Sequence, residues 1–175
     1  MVFSSSMRWW VLPNVVLLAG MAAWGVLRYP DLPERIPQHF GPGGVDAWAQ
    51  RSVGSALGVV FVFAGVTLLL IGCAELTLRV TPRDEMRPDA APYAVTPTAA
   101  SLLNRPADRA SARRIARSLL LLNACVGLSF LVGCWTLWRS VPEADVPPWV
   151  FAAILLPLLA GTGATLAAAL ADRRR

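Results

Sequence analysis

The chain has 175 residues, a hydrophobic content of 55% and a formal net charge of +5. This length suits one domain, but the apolar residues form long runs instead of the short periodic segments of a soluble fold. The composition therefore excludes a second soluble domain of normal size. The basic excess does not indicate a nucleic-acid partner, because the basic residues cluster beside the apolar runs, where anionic lipid headgroups account for them.

Several apolar stretches are each long enough to cross a hydrocarbon layer of about 30 Å, which needs about 20 residues in a helix. A segment in lipid must satisfy its backbone hydrogen bonds internally, so each stretch is predicted to be helical. The alternative for the first stretch is a secretory signal cleaved near Gly20, but the apolar run continues to Leu27. We predict an all-α integral membrane protein, a small bundle of four helices in one polytopic domain over residues 1–175, with spans at 9–27, 55–76, 118–138 and 149–170.

The arginines, which are all 16 of the basic residues, predict the orientation. Short loops rich in basic residues stay in the cytoplasm. Twelve arginines fall in the N-terminus, the segment 77–117 and the tail 171–175, and the loops 28–54 and 139–148 contain the other four. Both termini are therefore predicted to be cytoplasmic, with these two loops facing outward, in a multi-pass protein of the plasma membrane.

The first outward loop contains the densest polar motif, YPDLPERIPQHFGPGGVDAW at 29–48, with the single histidine of the chain, His39. Its prolines restrict the backbone, and the glycines around Pro42 permit a tight reversal. Across this reversal His39 and Asp46 are predicted to come together. Such a pair lacks the further ligands of a metal site and the nucleophile of a hydrolase. The chemistry alone favours a folded lid in which His39 and Trp48 pack on the helix ends, ahead of ligand or peptide binding, and both ahead of catalysis.

The same motif resembles, in order and spacing, the signature of an uncharacterised bacterial membrane domain found in the N-terminal part of SdpI-like immunity proteins. The matching residues are Pro30, Leu32, Pro33, Ile36, Pro37, His39, Phe40, Gly44, Asp46 and Trp48. The resemblance covers this motif and the two flanking spans, and the second conserved portion of SdpI-like proteins is not found after residue 80. It implies a polytopic membrane protein, in the immunity branch one that protects against a secreted peptide and can hold a transcriptional repressor at the membrane. The ligand-binding residues that it implies are His39, Asp46, Trp48, Pro37, Phe40 and Gly44.

We predict a non-enzymatic sensor or immunity-type factor, without cofactor or metal, that binds a peptide or small ligand outside. A regulator would bind inside, at the segment between residues 79 and 117. The alternatives are a small transporter or channel component that uses Glu75 or Asn123, and a structural subunit of a membrane complex. Glu75 is four residues before Arg79 and more simply pairs with it. Asn123 and Thr67 more simply bond to neighbouring helices or back to their own backbone.

Small residues in the spans predict close helix contacts. Gly54, Gly58, Gly65 and Gly72 line one face of the second span, for packing within the bundle or for a homodimer. The thiols Cys73, Cys125 and Cys134 are predicted to be packing residues. Residues 81–106 are predicted to be a flexible linker. Arg109, Arg113 and Arg117 would form a stripe on a surface helix that then turns into the membrane as the third span.

Overall fold

The structure is a computed structural model, and it describes residues 5–41, 44–86, 105–139 and 147–174. Within these residues, four helices are long and apolar enough to cross a membrane. Each contains one of the predicted spans, which confirms a multi-pass helical membrane protein. The loop 139–148 is largely outside the described residues. The elements are α1 (Ser5–Arg28), β1 (Arg35–Gly41), β2 (Gly44–Gln50), α2 (Val53–Arg79), α3 (Arg109–Trp138) and α4 (Pro148–Arg173), with short 3-10 turns at Tyr29–Asp31 and Arg83–Glu85.

The prediction of a purely helical fold is wrong for the loop between α1 and α2. Here β1 and β2 form an antiparallel two-stranded sheet, the hairpin. Pro33 and Pro37 disfavour a helix because proline removes a backbone donor and clashes with the preceding turn. An extended backbone then needs an external partner for its hydrogen bonds, and the second strand supplies it.

Helix α3 is the centre of the bundle and packs against α1, α2 and α4. One apolar cluster lies next to the hairpin and includes Phe63, Trp138 and Ile36, all almost completely buried. A second cluster at the other end joins Met7 of α1, Ala74 of α2 and Leu120 of α3. The second cluster places the starts of α1 and α3 near the end of α2. The contacts of Asp172 with Ser111 and Arg83 bring the end of α4 to the same end of the bundle. We call this the arginine-rich end, and the opposite one the hairpin end.

Helix α3 begins at Arg109, well before the predicted start at residue 118. The side chain of Asp108 caps it by accepting a hydrogen bond from the Ser111 N–H at 2.6 Å. The helix predicted over Arg109 to Arg117 is confirmed, but its predicted turn into the membrane is wrong, because these residues and the third span form one continuous helix. Its 30 residues span about 45 Å at 1.5 Å each, against about 30 Å of hydrocarbon, so it extends beyond the bilayer core.

The two described ends of the predicted linker, residues 81–86 and 105–106, are fixed by hydrogen bonds. The Arg83 N–H donates to the Pro106 carbonyl at 3.0 Å, and the Asp84 N–H donates to the Ala107 carbonyl at 3.2 Å. Glu85 accepts two hydrogen bonds from Arg109, at 2.8 and 2.7 Å. A flexible linker is therefore the wrong description of residues 81–86 and 105–106, and residues 87–104 lie outside the described structure.

Asp172, near the end of α4, secures the same region. Its Oδ1 accepts hydrogen bonds from the Ala107 N–H at 2.8 Å and from the Ser111 hydroxyl. Its Oδ2 lies 3.5 Å from Nη2 of Arg83. This carboxylate is 8% exposed, so the burial of its charge depends on these three partners. One acidic side chain thus joins the start of α3, the end of α4 and the segment after α2.

A polar cluster links three helices in the bundle interior. Nδ2 of Asn123 donates to Oδ1 of Asn14 at 2.9 Å and to Oγ1 of Thr67 at 3.1 Å. Nδ2 of Asn14 donates to the Leu120 carbonyl at 3.2 Å. The prediction that Asn123 and Thr67 bond to neighbouring helices is confirmed, whereas Asn14 was not predicted. These contacts satisfy the buried amides through bonds between packed helices.

The glycines of α2 do not pack inside the described bundle. A Cβ built on Gly58, Gly65 or Gly72 meets no atom within 4 Å, and one on Gly54 meets only the Ser52 hydroxyl at 3.8 Å. The prediction that this face packs within the bundle is therefore wrong for the described residues. The homodimer prediction stays open.

Candidate functional site

The hairpin is fixed to the bundle by apolar anchors at its base. Ile36 is 0% exposed and Leu32 is 3% exposed, and both belong to the cluster around Trp138. Gln38 donates from Nε2 to the Ser55 carbonyl of α2 at 3.1 Å. The hairpin is thus ordered by tertiary contacts as well as by the predicted stiffness of its prolines.

The connection from the hairpin to α2 is also closely bonded. The Arg51 N–H donates to the Glu34 carbonyl at 2.7 Å, and Nη1 of Arg51 donates to the Pro30 carbonyl at 3.2 Å. Ser52 and Ser55 form a capping box at the start of α2, in which each hydroxyl accepts from the backbone of the other residue. These bonds fix the position of both strands relative to the membrane-spanning helices.

The strand register is irregular where the polar residues lie. Pro37 pairs with Trp48, His39 with Ala47, and Phe40 with Val45. Gln38 and Asp46 therefore have no partner in the register. Such bulges change the direction of side chains and are common beside functional sites.

His39 and Asp46 meet at this irregularity, with Nδ1 2.6 Å from Oδ1. This confirms the prediction that they come together across the reversal. Both side chains face solvent, with exposed fractions of 70% and 57%. The contact is an ion pair when the imidazole is protonated and a hydrogen bond from Nδ1–H when it is neutral. In the neutral form, the bond to Asp46 fixes the tautomer and leaves Nε2 as an acceptor.

The remaining predicted site residues divide into exposed and buried groups. Trp48 is 45% exposed, so the predicted lid in which His39 and Trp48 pack on the helix ends is wrong. The apolar contacts to the bundle are made by Ile36 and Leu32 instead, which pack in the cluster around Trp138. Pro37 is buried, and Phe40 and Gly44 take part through backbone pairing with Val45 and Gly41. The side chain of Phe40 lies outside the described structure.

A recess at the base of the hairpin was not predicted from the sequence. It has a volume of about 390 Å³ and is lined by Glu34, Arg35, Gln50 and Arg51. Its walls are polar and contain two guanidinium groups and one carboxylate. Only the two outward arginines could have indicated this recess, because Arg35 and Gln50 become neighbours through the strand register.

The His, Cys, Asp and Glu side chains of the described residues are spread over the fold. Among the described residues, no group of three or more His, Cys, Asp or Glu side chains is placed to hold a metal ion. The three cysteines are free thiols on the helices, two half-buried and one buried. The hairpin instead presents hydrogen-bonding groups and an indole ring, which are suited to recognition.

The hairpin and parts of its two flanking helices match a known protein-family model. Residues 16–64 match the family model described as Domain of unknown function (DUF1648). The match runs from the middle of α1 through the hairpin into α2, and it confirms the predicted resemblance of this segment to an uncharacterised domain. No curated protein and no solved structure matches the chain. Helices α3 and α4 lie outside the DUF1648 match.

The residues predicted for the transporter alternative make hydrogen bonds to described neighbours. Arg79 donates from Nε to Oε1 of Glu75 at 2.8 Å, as the spacing on α2 predicted. Oε2 of Glu75 is buried and has no hydrogen-bond partner among the described residues. The other predicted residue, Asn123, is occupied by its bonds to Asn14 and Thr67.

Proposed function

We propose that the chain is a non-enzymatic protein of the plasma membrane that binds a secreted peptide or small ligand through the hairpin, as an envelope sensor or an immunity factor. The observation that carries this proposal is the contact of His39 with Asp46 at 2.6 Å on a solvent-exposed surface. An exposed ion pair contributes little to stability. Ile36, Leu32 and Arg51 already fix the hairpin, so the pair is available for binding.

The chemistry of the hairpin suits a peptide. His39 Nε2 and the second carboxylate oxygen of Asp46 have no hydrogen-bond partner among the described residues. Trp48 adds a large aromatic surface, which is the kind of residue that dominates recognition sites. The arginines of the nearby recess complement a carboxylate, such as an acidic side chain or a peptide C-terminus.

The proposed orientation places the hairpin outside the cell. The described contacts bring the starts of α1 and α3 to the same end as the ends of α2 and α4. Most of the arginines lie at this end, and basic segments are retained in the cytoplasm. The segment between residues 79 and 117 is then cytoplasmic, and we propose it as the contact for a regulator.

The test uses a deletion strain challenged with membrane-active peptides and with the spent medium of its own culture. The strain is complemented with the wild type, His39→Ala or Asp46→Asn. The control is Ala47→Ser, which changes the exposed residue next to Asp46 in β2 and leaves the His39–Asp46 pair intact. We expect the wild type and Ala47→Ser to restore survival, and the other two variants to fail at equal membrane levels. Full rescue by His39→Ala and Asp46→Asn would contradict the proposal.

A further inference from the structure

A crevice at the arginine-rich end lies between α1, α3 and α4, far from the hairpin. Its volume is about 350 Å³. Helix α3 contributes Arg114, Arg117, Ser118 and Leu121, whose spacing places them on one helix face. Trp10 of α1 forms one side of the crevice, and the alanines of α4 form the other.

The mouth of the crevice has positive charge that the described residues do not neutralise. Nε of Arg114 is buried and has no hydrogen-bond partner among them. The guanidinium of Arg117 lies 5.9 Å from the centre of the Trp10 ring. In the described part of the chain, neither arginine lies within ion-pair distance of a carboxylate, whereas Arg79, Arg83 and Arg109 each do.

A buried donor without a partner is costly, and the cost is removed by an acceptor from outside the described chain. An anion would provide a hydrogen-bond acceptor for Arg114 and a negative charge opposite the two arginines. Phosphate oxygens are suitable acceptors because guanidinium groups bind them with short, charge-assisted hydrogen bonds.

The rest of the crevice is apolar. Leu121 is 40% exposed, and it lies one helical turn from Arg117, toward the bilayer centre. Ala164 and Ala168 of α4 face the same space and have short side chains that leave room for a chain of methylene groups. The Ser118 hydroxyl donates to its own helix, at the Ile115 carbonyl, so it does not need an external partner. The occupant should therefore combine an anionic head with an apolar tail.

We propose that this crevice binds one anionic phospholipid, with its phosphate on Arg114 and Arg117 and an acyl chain along Leu121 and the α4 alanines. Basic pockets between membrane helices bind anionic headgroups for the same physical reasons. The site is separate from the hairpin and does not depend on the function proposed for it. It would fix the depth of α3 in the leaflet at the arginine-rich end.

The test is lipid binding by the full chain, purified in a neutral detergent and studied by native mass spectrometry. Phosphatidylglycerol or phosphatidylcholine with identical acyl chains is added in increasing amounts. We expect one phosphatidylglycerol to bind about tenfold more tightly than phosphatidylcholine, since each arginine near the headgroup favours the anionic lipid. Equal binding of the two lipids would overturn the proposal, because the crevice would then recognise only the apolar chains.

Two double variants distinguish lipid binding in the crevice from non-specific attraction of anionic lipid to surface arginines. Arg114→Gln with Arg117→Gln removes both crevice charges, and the control Arg113→Gln with Arg173→Gln removes two exposed charges outside it. We expect about tenfold weaker phosphatidylglycerol binding in the first and little change in the second. Equal losses in both would overturn the proposal in favour of diffuse electrostatics.

A third variant tests the apolar part and does not alter charge. Ala164→Leu adds bulk inside the crevice on a half-buried residue. We expect it to weaken phosphatidylglycerol binding severalfold while elution in size-exclusion chromatography stays unchanged. Unchanged binding would show that the lipid does not enter the crevice, and would overturn the proposal even if the arginine variants failed to fold.

Discussion

Gly127 of α3 lies directly against the ring of Phe63 in α2. A Cβ at Gly127 would be 2.5 Å from Cζ of Phe63 and 3.0 Å from Cδ1 of Leu17. The ring cannot easily move, because Phe63 is completely buried in the cluster next to the hairpin. The approach of α1, α2 and α3 at this level therefore depends on a residue without a side chain.

We expect Gly127→Ala to lower the free energy of unfolding by about 1–3 kcal/mol, since overpacking forces neighbouring side chains from their positions. Gly133→Ala is the matched control on the same helix, where an added Cβ meets no described atom within 4 Å. It should be neutral or slightly stabilising. Denaturation in detergent, followed by circular dichroism, measures both. Equal stability of the two variants would show that α2 and α3 are not in close contact here.

Asp172 provides a prediction at the arginine-rich end. Asp172→Ala leaves the Ala107 N–H and the Ser111 hydroxyl without their acceptor. We expect a loss of about 1–3 kcal/mol in the free energy of unfolding and faster hydrogen exchange of the Ala107 amide. Asp172→Asn is the control, because its amide carbonyl still accepts from Ala107 and Ser111, whereas its NH2 group replaces the charged oxygen that faces Arg83. If Asp172→Asn lowered the free energy of unfolding as much as Asp172→Ala, the ion pair with Arg83 would be the stabilising contact, and the hydrogen bonds from Ala107 and Ser111 would not.

The Asn14–Asn123 contact predicts coupling inside the membrane. We expect Asn14→Ala and Asn123→Ala each to destabilise the chain by about 0.5–2 kcal/mol, the range of hydrogen bonds between membrane helices. The double variant should cost less than the sum of the two, since both remove the same 2.9 Å bond. A double-mutant cycle measured in detergent checks this. Additive losses would contradict a direct bond between the two amides.

A homodimer through the glycine face of α2 remains our proposal, and the open surface over Gly58, Gly65 and Gly72 supports it. We expect Gly65→Ile to lower the fraction of cross-linked dimer in membranes at least tenfold by separating the two backbones. The control is Gly163→Ile on α4, which also adds bulk at a glycine with open space. Equal dimer fractions in both variants and the wild type would exclude this face as the contact.

The sequence predicts the spans well because a run of about 20 apolar residues has few alternatives in a membrane protein. It predicts that Arg109 to Arg117 are helical, but not that this helix continues straight into the third span, because its start is fixed by Asp108 and by the distant Asp172. The prolines and glycines of the loop predict a stiff segment with a tight reversal, but they do not predict that the two arms pair as strands. This pairing depends on the burial of Ile36 against Trp138, which is a tertiary contact.

For the candidate site, the sequence predicts that His39 and Asp46 meet, because a short reversal leaves few other arrangements. It does not predict which residues face solvent. Trp48 would be expected to be buried from its size, yet the register leaves it exposed while Pro37 is covered. The recess at Arg35 and Gln50 could not be predicted either, because it is produced by the pairing of two strands.

The anchoring of the hairpin by Leu32 and Ile36 has a consequence for the rate and the entropy of binding. A ligand that arrives at Trp48, His39 and Asp46 meets a surface that is already ordered, so association needs no conformational search by the protein. The conformational entropy of the loop is already lost when the protein folds. A small contact area can therefore give measurable affinity. Under the function proposed for the hairpin, a short peptide would therefore bind and dissociate quickly.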